Sequence, residues 1–163
     1  MAQVYVSVGS NIEPTANIRS AMRELRRHYP QLLLSSVYES EAVGFAGDNF
    51  YNLVVGFETD DDVYRVAAVL NSLEASHARD RRAPKFSSRT IDLDLLLYDD
   101  AVIHQNGLNI PRDEITKNAF VLWPLAEIAG DLTHPQTGRS YAEMWRDYDK
   151  NRQSLWPIPF GWD

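Results

Sequence analysis

The chain has 163 residues, 44% of them hydrophobic and 24% charged, which is typical of a single globular domain with its own core, here expected to span residues 1–163. Its formal net charge of −7 argues against general binding of nucleic acids. The chain has no cysteine, which excludes disulfides, thiol catalysis and cysteine-ligated zinc. Because it has no signal segment and no apolar run of membrane-spanning length, we expect a cytoplasmic protein without a membrane partner.

The first part of the chain alternates between strand and helix patterns. Residues 4–8 alternate apolar and polar side chains and predict a strand that ends at the turn signal Gly-Ser-Asn. Apolar residues at helical spacing follow, between Pro14 and Pro30, which suit a helix start and stop. Residues 32–38 predict a second strand, residues 39–49 a loop, and residues 50–59 a third strand.

The second part continues this alternation. Residues 60–62 are aspartates that can cap a helix with an apolar face between Val63 and Leu73. A further strand, a hairpin over residues 98–109, an apolar segment over residues 119–129 and a helix around residues 141–148 follow. The order β-α-β-β-α-β predicts an α+β fold: a ferredoxin-like antiparallel sheet with two helices on one face and C-terminal additions.

The fourth strand carries two aspartates between apolar residues. Its apolar positions are predicted to share one face: Ile91, Leu93, Leu95 and Leu97. Asp92 and Asp94 share the other face, roughly 6–7 Å apart. Two converging carboxylates can hold one hard cation or two, and Mg²⁺ suits such ligands. Because the strand is so apolar, we expect it to be a central strand of the sheet.

A basic run precedes this strand and supplies the opposite charge. Its cations are Arg79, Arg81, Arg82, Lys85 and Arg89. Arginine binds phosphate oxygens bidentately, and Pro84 with the neighbouring serines predicts that part of the run is a loop. Carboxylates for Mg²⁺ beside arginines are typical of phosphoryl transfer. The other interpretation of this pattern is an exposed edge-strand face beside a solvated basic run. A ferredoxin-like interaction module without chemistry is a further alternative, but it does not explain two aspartates facing five cations.

Asn52 is an amide within the otherwise apolar third strand. It could hydrogen-bond a flat heterocycle, or it could be a buried asparagine satisfied by nearby backbone.

The sequence of residues 89–96, Arg-Thr-Ile-Asp-Leu-Asp-Leu-Leu, resembles the signature of the 6-hydroxymethyl-7,8-dihydropterin pyrophosphokinase family of folate biosynthesis, and further matches run from Val4 to about Ile128. This family transfers the terminal pyrophosphoryl group of ATP to the hydroxymethyl group of a reduced pterin and leaves AMP. The resemblance implies ATP as co-substrate, a reduced pterin and two Mg²⁺ ions. We expect a monomer, and the net charge argues against a nucleic-acid partner.

The resemblance also implies a role for particular residues. The catalytic set would be Arg79, Arg81, Arg89 and Asp92. The metal ligands would be Asp92 and Asp94. The ATP-binding set would be Glu74, Arg79, Arg81, Arg89, Ile110 and Arg112. The pterin-binding set would be Ser40, Val43, Gly44, Phe50, Asn52, Phe86 and Phe120.

The chain departs from the family pattern at several of these places. Ser87 and Ser88 stand where the family usually has Gly-Pro, and Glu41 stands where it usually has a proline. Arg112 replaces a usual histidine and Asn118 a usual arginine, both nucleotide contacts in the family. The alternative is therefore a diverged relative that binds pterin or nucleotide with weak or no catalysis.

Overall fold

The structure, a computed structural model, describes residues 1–41, 47–78 and 90–162. The basic run and part of the loop before the third strand lie outside this part of the chain. The elements, in chain order, are β1 (Ala2–Ser10), α1 (Pro14–His28), β2 (Leu33–Leu34), β3 (Val37–Ser40), β4 (Phe50–Thr59), α2 (Val63–Ala78), β5 (Asp92–Tyr98), β6 (Ile103–Gln105), β7 (Leu108–Ile110), α3 (Glu114–Lys117), α4 (Ala119–Ala129), α5 (Tyr141–Asp147) and β8 (Leu155–Ile158).

The main sheet has the strand order β5-β1-β4-β3-β8, and β2 also pairs with β4. All of these pairings are antiparallel. With β2 and β3 counted as one interrupted strand, the elements from β1 to β5 follow the order β-α-β-β-α-β, and β1 and β4 lie in the middle of the sheet. This order confirms the predicted ferredoxin-like α+β fold. The prediction that β5 is central is wrong: among the described strands it lies at one edge, beside β1.

The first core lies between the sheet and helices α1 and α2. The valines of β1 that alternate along the strand, Val4, Val6 and Val8, are fully buried there. Helix α1 begins at Pro14, as predicted, and ends one residue before Tyr29. It contributes Ile18, Met22 and Leu25 to this core, and α2 contributes Val66, Leu70 and Leu73.

The C-terminal additions cover the opposite face of the sheet. Leu122 and Leu125 of α4 and Tyr141 of α5 form a second core with Val54, Leu96 and Leu97. Helix α4 continues through Pro124, in a segment that the sequence had identified only as apolar. Because the sheet is buried on both faces, β5 can be strongly apolar and still lie at an edge. None of the helices in the described ranges is long and apolar enough to span a bilayer.

Two predicted strands differ in detail. The predicted strand over residues 32–38 is divided into β2 and β3, because Ser35 takes over the backbone pairing: its N–H donates to Val54 O, and its Oγ accepts from Val54 N–H, both at 2.9 Å. In β5 the pairing register shifts, so that Leu95 faces Val6 and Leu97 faces Tyr5. Leu96 is the extra residue of this bulge. Leu97 therefore lies on the opposite face from Leu93 and Leu95, contrary to the prediction.

The hairpin of β6 and β7 is as predicted. Asn106 and Gly107 form its turn with φ of 53° and 81°, which a type I′ turn requires and which asparagine and glycine tolerate. The C-terminal segment, for which the sequence indicated no role, forms β8 and pairs with β3.

Candidate active site

Three neighbouring strands place polar residues in one row at the end of the sheet. Gly9 of β1 pairs with Asp92 of β5 on one side and with Asn52 of β4 on the other. Paired residues point to the same face of a sheet, so Asp92 and Asn52 share a face, roughly 10 Å apart, which is two strand spacings. Gly9 contributes no side chain between them. The row therefore has a gap, the position of the absent side chain at Gly9, between a carboxylate and an amide.

Asn52 is held in place by its neighbours. It is 4% exposed, and its Nδ2 donates a buried hydrogen bond of 2.8 Å to Ser40 Oγ. Its Oδ1 lies above Gly9, because a Cβ atom built at Gly9 would stand 3.1 Å from it. The amide is thus fixed by a hydroxyl rather than by the backbone, and its oxygen faces the gap in the row.

Aromatic residues surround this end of the sheet. Phe50, two residues before Asn52 on β4, points to the same face and pairs with Ser40. Phe120, on the first turn of α4, packs against the second core, which covers the same face. Both rings are half-buried. The predicted pterin-binding residues Ser40, Phe50 and Asn52 therefore lie together, and Phe120 lies on the covered face to which Phe50 and Asn52 point.

A second group of predicted residues meets at the edge of β5. A cleft of about 120 Å³ lies between α2, β5 and β7, and it is lined by Glu74, Asp94, Ile110 and Arg112. Glu74 Oε2 accepts a 2.8 Å hydrogen bond from Leu93 N–H. Arg112 N–H donates to Leu96 O at 3.1 Å. These two bonds occupy backbone groups on the open side of β5 and join α2 and the segment after β7 to the strand.

Charged side chains are arranged around Asp94. Arg112 Nη2 lies 3.6 Å from Asp94 Oδ1, and Arg112 Nε donates to Glu114 Oε2 at 2.8 Å. Asp92 and Asp94 are both half-buried and point away from Leu93 and Leu95, as predicted. Arg112 thus presents a cation at the place where the nucleotide was expected.

The pKa of Glu74 is raised, mainly because its side chain is partly buried. Burial raises the pKa of Glu74 to about 6, although the Leu93 N–H lowers it. This value already includes smaller contributions: the charges of Asp92 and Asp94 raise the pKa, and the charge of Arg112 lowers it. A cation that enters beside these carboxylates would relieve their repulsion.

The donor set fits Mg²⁺ that arrives with a phosphate ligand. Within residues 1–41, 47–78 and 90–162, no group of three or more histidine and carboxylate side chains is arranged to hold a metal ion by itself. Asp92 and Asp94 supply two carboxylates on one face. Mg²⁺ typically takes one or two carboxylates and completes its coordination with water and substrate phosphates.

Six predicted site residues lie outside the described part of the chain: Val43, Gly44, Arg79, Arg81, Phe86 and Arg89. Two residues of the site were missed by sequence reasoning. Gly9 belongs to the Gly-Ser-Asn segment, which was interpreted only as a turn signal, although Gly9 and Ser10 complete β1. Glu114 stands two positions after Arg112, outside every predicted helix and strand, so no periodic pattern indicated their ion pair.

The raised pKa of Glu74 predicts how stability depends on pH. Because the pKa in the folded chain lies above its usual value of 4.5, protonation stabilises the fold, and this contribution is complete below pH 4.5 and is lost as the pH rises to about 6. Glu74→Gln avoids the loss. We expect its free energy of unfolding, relative to the unsubstituted chain, to rise by up to about 1 kcal/mol over this range, since partial exposure screens the effect.

Urea unfolding without nucleotide at pH 4.5 and pH 7.5 measures this difference. Glu58→Gln, at an exposed position of β4, is the matched control. If the difference in free energy of unfolding between Glu74→Gln and the unsubstituted chain is the same at both pH values, the raised pKa of Glu74 is contradicted.

Comparisons with known proteins identify the family. Residues 5–130 match the profile of 7,8-dihydro-6-hydroxymethylpterin-pyrophosphokinase (HPPK). A 2-amino-4-hydroxy-6-hydroxymethyldihydropteridine pyrophosphokinase of Aquifex aeolicus is 34% identical over 137 residues, which are 83% of this chain and 85% of the relative. The protein of the same name in Synechocystis is 31% identical over 159 residues, 96% of this chain and 80% of that one.

Solved structures share the fold. The crystal structure of Plasmodium falciparum HPPK-DHPS wild type with SDX-DHP matches with a TM-score of 0.66 at 15% identity and covers 91% of this chain. A crystal structure of HPPK-DHPS in complex with substrates matches with a TM-score of 0.72 at 11% identity and covers 93%. The chain spans 44% and 43% of the length of these two structures. Because residues 5–130 match the family profile and the two curated relatives are 34% and 31% identical over most of the chain, the chain belongs to the HPPK family.

Proposed function

We propose that the row of Asp92, Gly9 and Asn52 is where this chain performs the reaction of its family. As an HPPK, it is an ATP-dependent pyrophosphokinase of folate biosynthesis, which transfers pyrophosphate from ATP to the hydroxymethyl group of 6-hydroxymethyl-7,8-dihydropterin and yields AMP. The observation that carries the assignment is the gap above Gly9, flanked by a carboxylate and an amide. A flat ring bound to Asn52 can direct a substituent toward Asp92 there.

The products define the bond changes. The hydroxyl oxygen of the pterin attacks the β-phosphorus of ATP, the bond from that phosphorus to the oxygen shared with the α-phosphate breaks, and AMP leaves with that oxygen. In this assignment Asp92, at the end of the row, accepts a hydrogen bond from the attacking hydroxyl, and the hydroxyl proton is released to water as the new O–P bond forms. Positioning the two substrates in line accounts for a large part of the acceleration in such transfers.

The phosphates of ATP lie on the β5 side in this proposal. Asp92 and Asp94 would hold Mg²⁺, as two ions, and the bound metal neutralises charge on the phosphates. Arg112, which is near Asp94 and paired with Glu114, provides a further cation at the position where a histidine is usual. Glu74 and Ile110 line the same cleft, and Arg79, Arg81 and Arg89 are assigned to phosphate contacts by their family positions.

The pterin lies on the Asn52 side. The Oδ1 atom of Asn52, directed over Gly9, is an acceptor that suits the N–H groups along the amide edge of the ring. Ser40 fixes the orientation of that amide. Phe50 and Phe120 offer aromatic faces for stacking, and Val43, Gly44 and Phe86 complete the set by their family positions.

The same proposal covers the organisation of the chain. Both cores lie on one sheet, which supports a single domain over residues 1–163. Its partners are then the small-molecule substrates alone, with no nucleic acid and no membrane. A monomer that acts in the cytoplasm, where ATP is available, is the simplest arrangement.

Removing one carboxylate tests the phosphate side. Asp94→Asn keeps the size of the side chain but removes its charge, so Mg²⁺-dependent affinity for ATP and the rate of AMP formation should fall by roughly a hundredfold. Product separation after incubation with ATP, Mg²⁺ and the pterin measures the rate, and calorimetry measures the affinity.

Asp100→Asn, at an exposed position just beyond β5, is the matched control and should behave like the unsubstituted chain. Unchanged nucleotide affinity in Asp94→Asn would refute the metal assignment. ADP rather than AMP as the product would refute the proposed reaction.

Truncating the amide tests the pterin side. Asn52→Ala removes the acceptor over Gly9, and we expect the affinity for the pterin to weaken by about 1–3 kcal/mol. The affinity for ATP with Mg²⁺ should be retained, because Asn52 lies on the other side of the row. Calorimetry with each substrate separates these effects, and equal pterin affinity in the variant and the unsubstituted chain would remove Asn52 from the pocket.

Filling the gap tests the row itself. Gly9→Val suits a β-strand, but its side chain would crowd Asn52 Oδ1, which a Cβ atom alone approaches to 3.1 Å. We expect pterin affinity to fall at least about tenfold while urea unfolding stays cooperative. Full pterin affinity in a folded Gly9→Val variant would show that the ring does not occupy the gap.

A further inference from the structure

The C-terminal segment contacts two of the three elements that carry the described pterin-binding residues, β3 and α4. It lies beyond residues 5–130, which match the family profile. Strand β8 pairs with β3 so that Leu155 faces Ser40, and Ser154 O accepts a 3.4 Å hydrogen bond from Glu41 N–H. Gln153, just before these residues, reaches the start of α4 instead. A short piece of chain beyond the profile match thus connects β3 with the start of α4.

Gln153 makes two hydrogen bonds at the start of α4. Its Oε1 accepts from Ala119 N–H at 2.8 Å, and its Nε2 donates to Asn118 Oδ1 at 2.9 Å. Ala119 is the first residue of the helix and is fully buried. The first N–H groups of a helix have no partner within the helix. Gln153 supplies such a partner from 34 residues further along the chain.

Asn118 does not cap the helix with its own side chain. It occupies the N-cap position with an extended backbone, φ −115° and ψ 122°, and its side chain accepts no hydrogen bond from the first turn. Asparagine at an N-cap commonly makes that bond itself. Here the Oδ1 atom of Asn118 is engaged by Gln153, so the geometry of the first turn depends on the C-terminal segment.

Phe120 belongs to this first turn. It follows Ala119 directly, so the direction of its ring depends on how Asn118 and Ala119 are held. We propose that Gln153 is a positioning residue for pterin binding: through its bonds to Asn118 and Ala119 it orients the ring of Phe120. This inference rests on the proposed function, in which Phe120 stacks on the pterin.

The test compares three replacements of Gln153 in the full chain. Gln153→Ala should raise the KM and the Kd for the pterin about tenfold, with kcat and the KM for ATP little changed, because binding of the ring is affected before the transfer step. Gln153→Glu retains an acceptor for Ala119 N–H and should recover most of the pterin affinity. Gln153→Met is similar in length but cannot make the two hydrogen bonds, so it should show the same rise in pterin KM and Kd and replaces the alanine variant if that variant does not fold.

Two further variants separate positioning from general stability. Tyr148→Phe removes another hydrogen bond of the C-terminal region, from Tyr148 OH to Lys117 O at 2.7 Å, and should leave the pterin KM unchanged. In a Phe120→Ala background, Gln153→Ala should cause no further loss of pterin affinity, since it acts through that ring.

Each contrary result has a distinct meaning. If Phe120→Ala strongly weakens pterin affinity while Gln153→Ala leaves it unchanged, the positioning role of Gln153 is overturned and the place of Phe120 in the pocket is kept. Additive losses in the double variant, or an equal rise in KM for Tyr148→Phe, would also overturn it. Unchanged pterin affinity in Phe120→Ala would instead refute the proposed place of Phe120 in the pocket, and the inference with it.

Discussion

A glycine between an aspartate and an asparagine is the constraint on which the site depends. Gly9 lies on a strand with neighbours on both sides, so one residue fixes the separation of Asp92 and Asn52. The polar groups need no long side chains or induced movement to face each other across the gap. Ser10, the next residue of β1, also connects this strand to β5: its Oγ donates a buried hydrogen bond to Thr90 O, just before β5. The proposed phosphate and pterin sides are therefore connected by backbone pairing.

The coverage of the sheet explains how an edge strand can carry the acidic residues. β5 has leucines in both cores, which hold it firmly although it has a strand neighbour on one side only within the described chain. Its other side remains available to Glu74 and Arg112. A central strand would have its backbone groups occupied by neighbouring strands, and charged side chains from α2 and the segment after β7 could not approach it in this way.

Local patterns predicted much of this fold, whereas contacts between distant residues were not predictable. Alternation fixed the bounds of β4, and prolines marked both ends of α1. The division of β2 from β3 depends on hydrogen bonds between Ser35 and Val54, and the bulge at Leu96 depends on pairing with β1. Neither feature can be predicted from the local periodicity of apolar residues. For the candidate site, the aspartate pair was predictable from a spacing of two along a strand. The role of Gly9 was not predictable, because it depends on which strands lie on either side of β1. The hydrogen bonds of Gln153 to residues 34 and 35 positions away have no sequence signal either.

The two edges of the sheet also bear on solubility during folding. Unpaired edge strands can add strands from other molecules and so begin aggregation. On the β5 edge, Glu74 and Arg112 occupy backbone groups that an incoming strand would need. The opposite edge is β8, which has only four residues and contains Pro157, and short strands with proline are poor templates for strand addition. The C-terminal segment thus gives the sheet an end that resists extension by another chain.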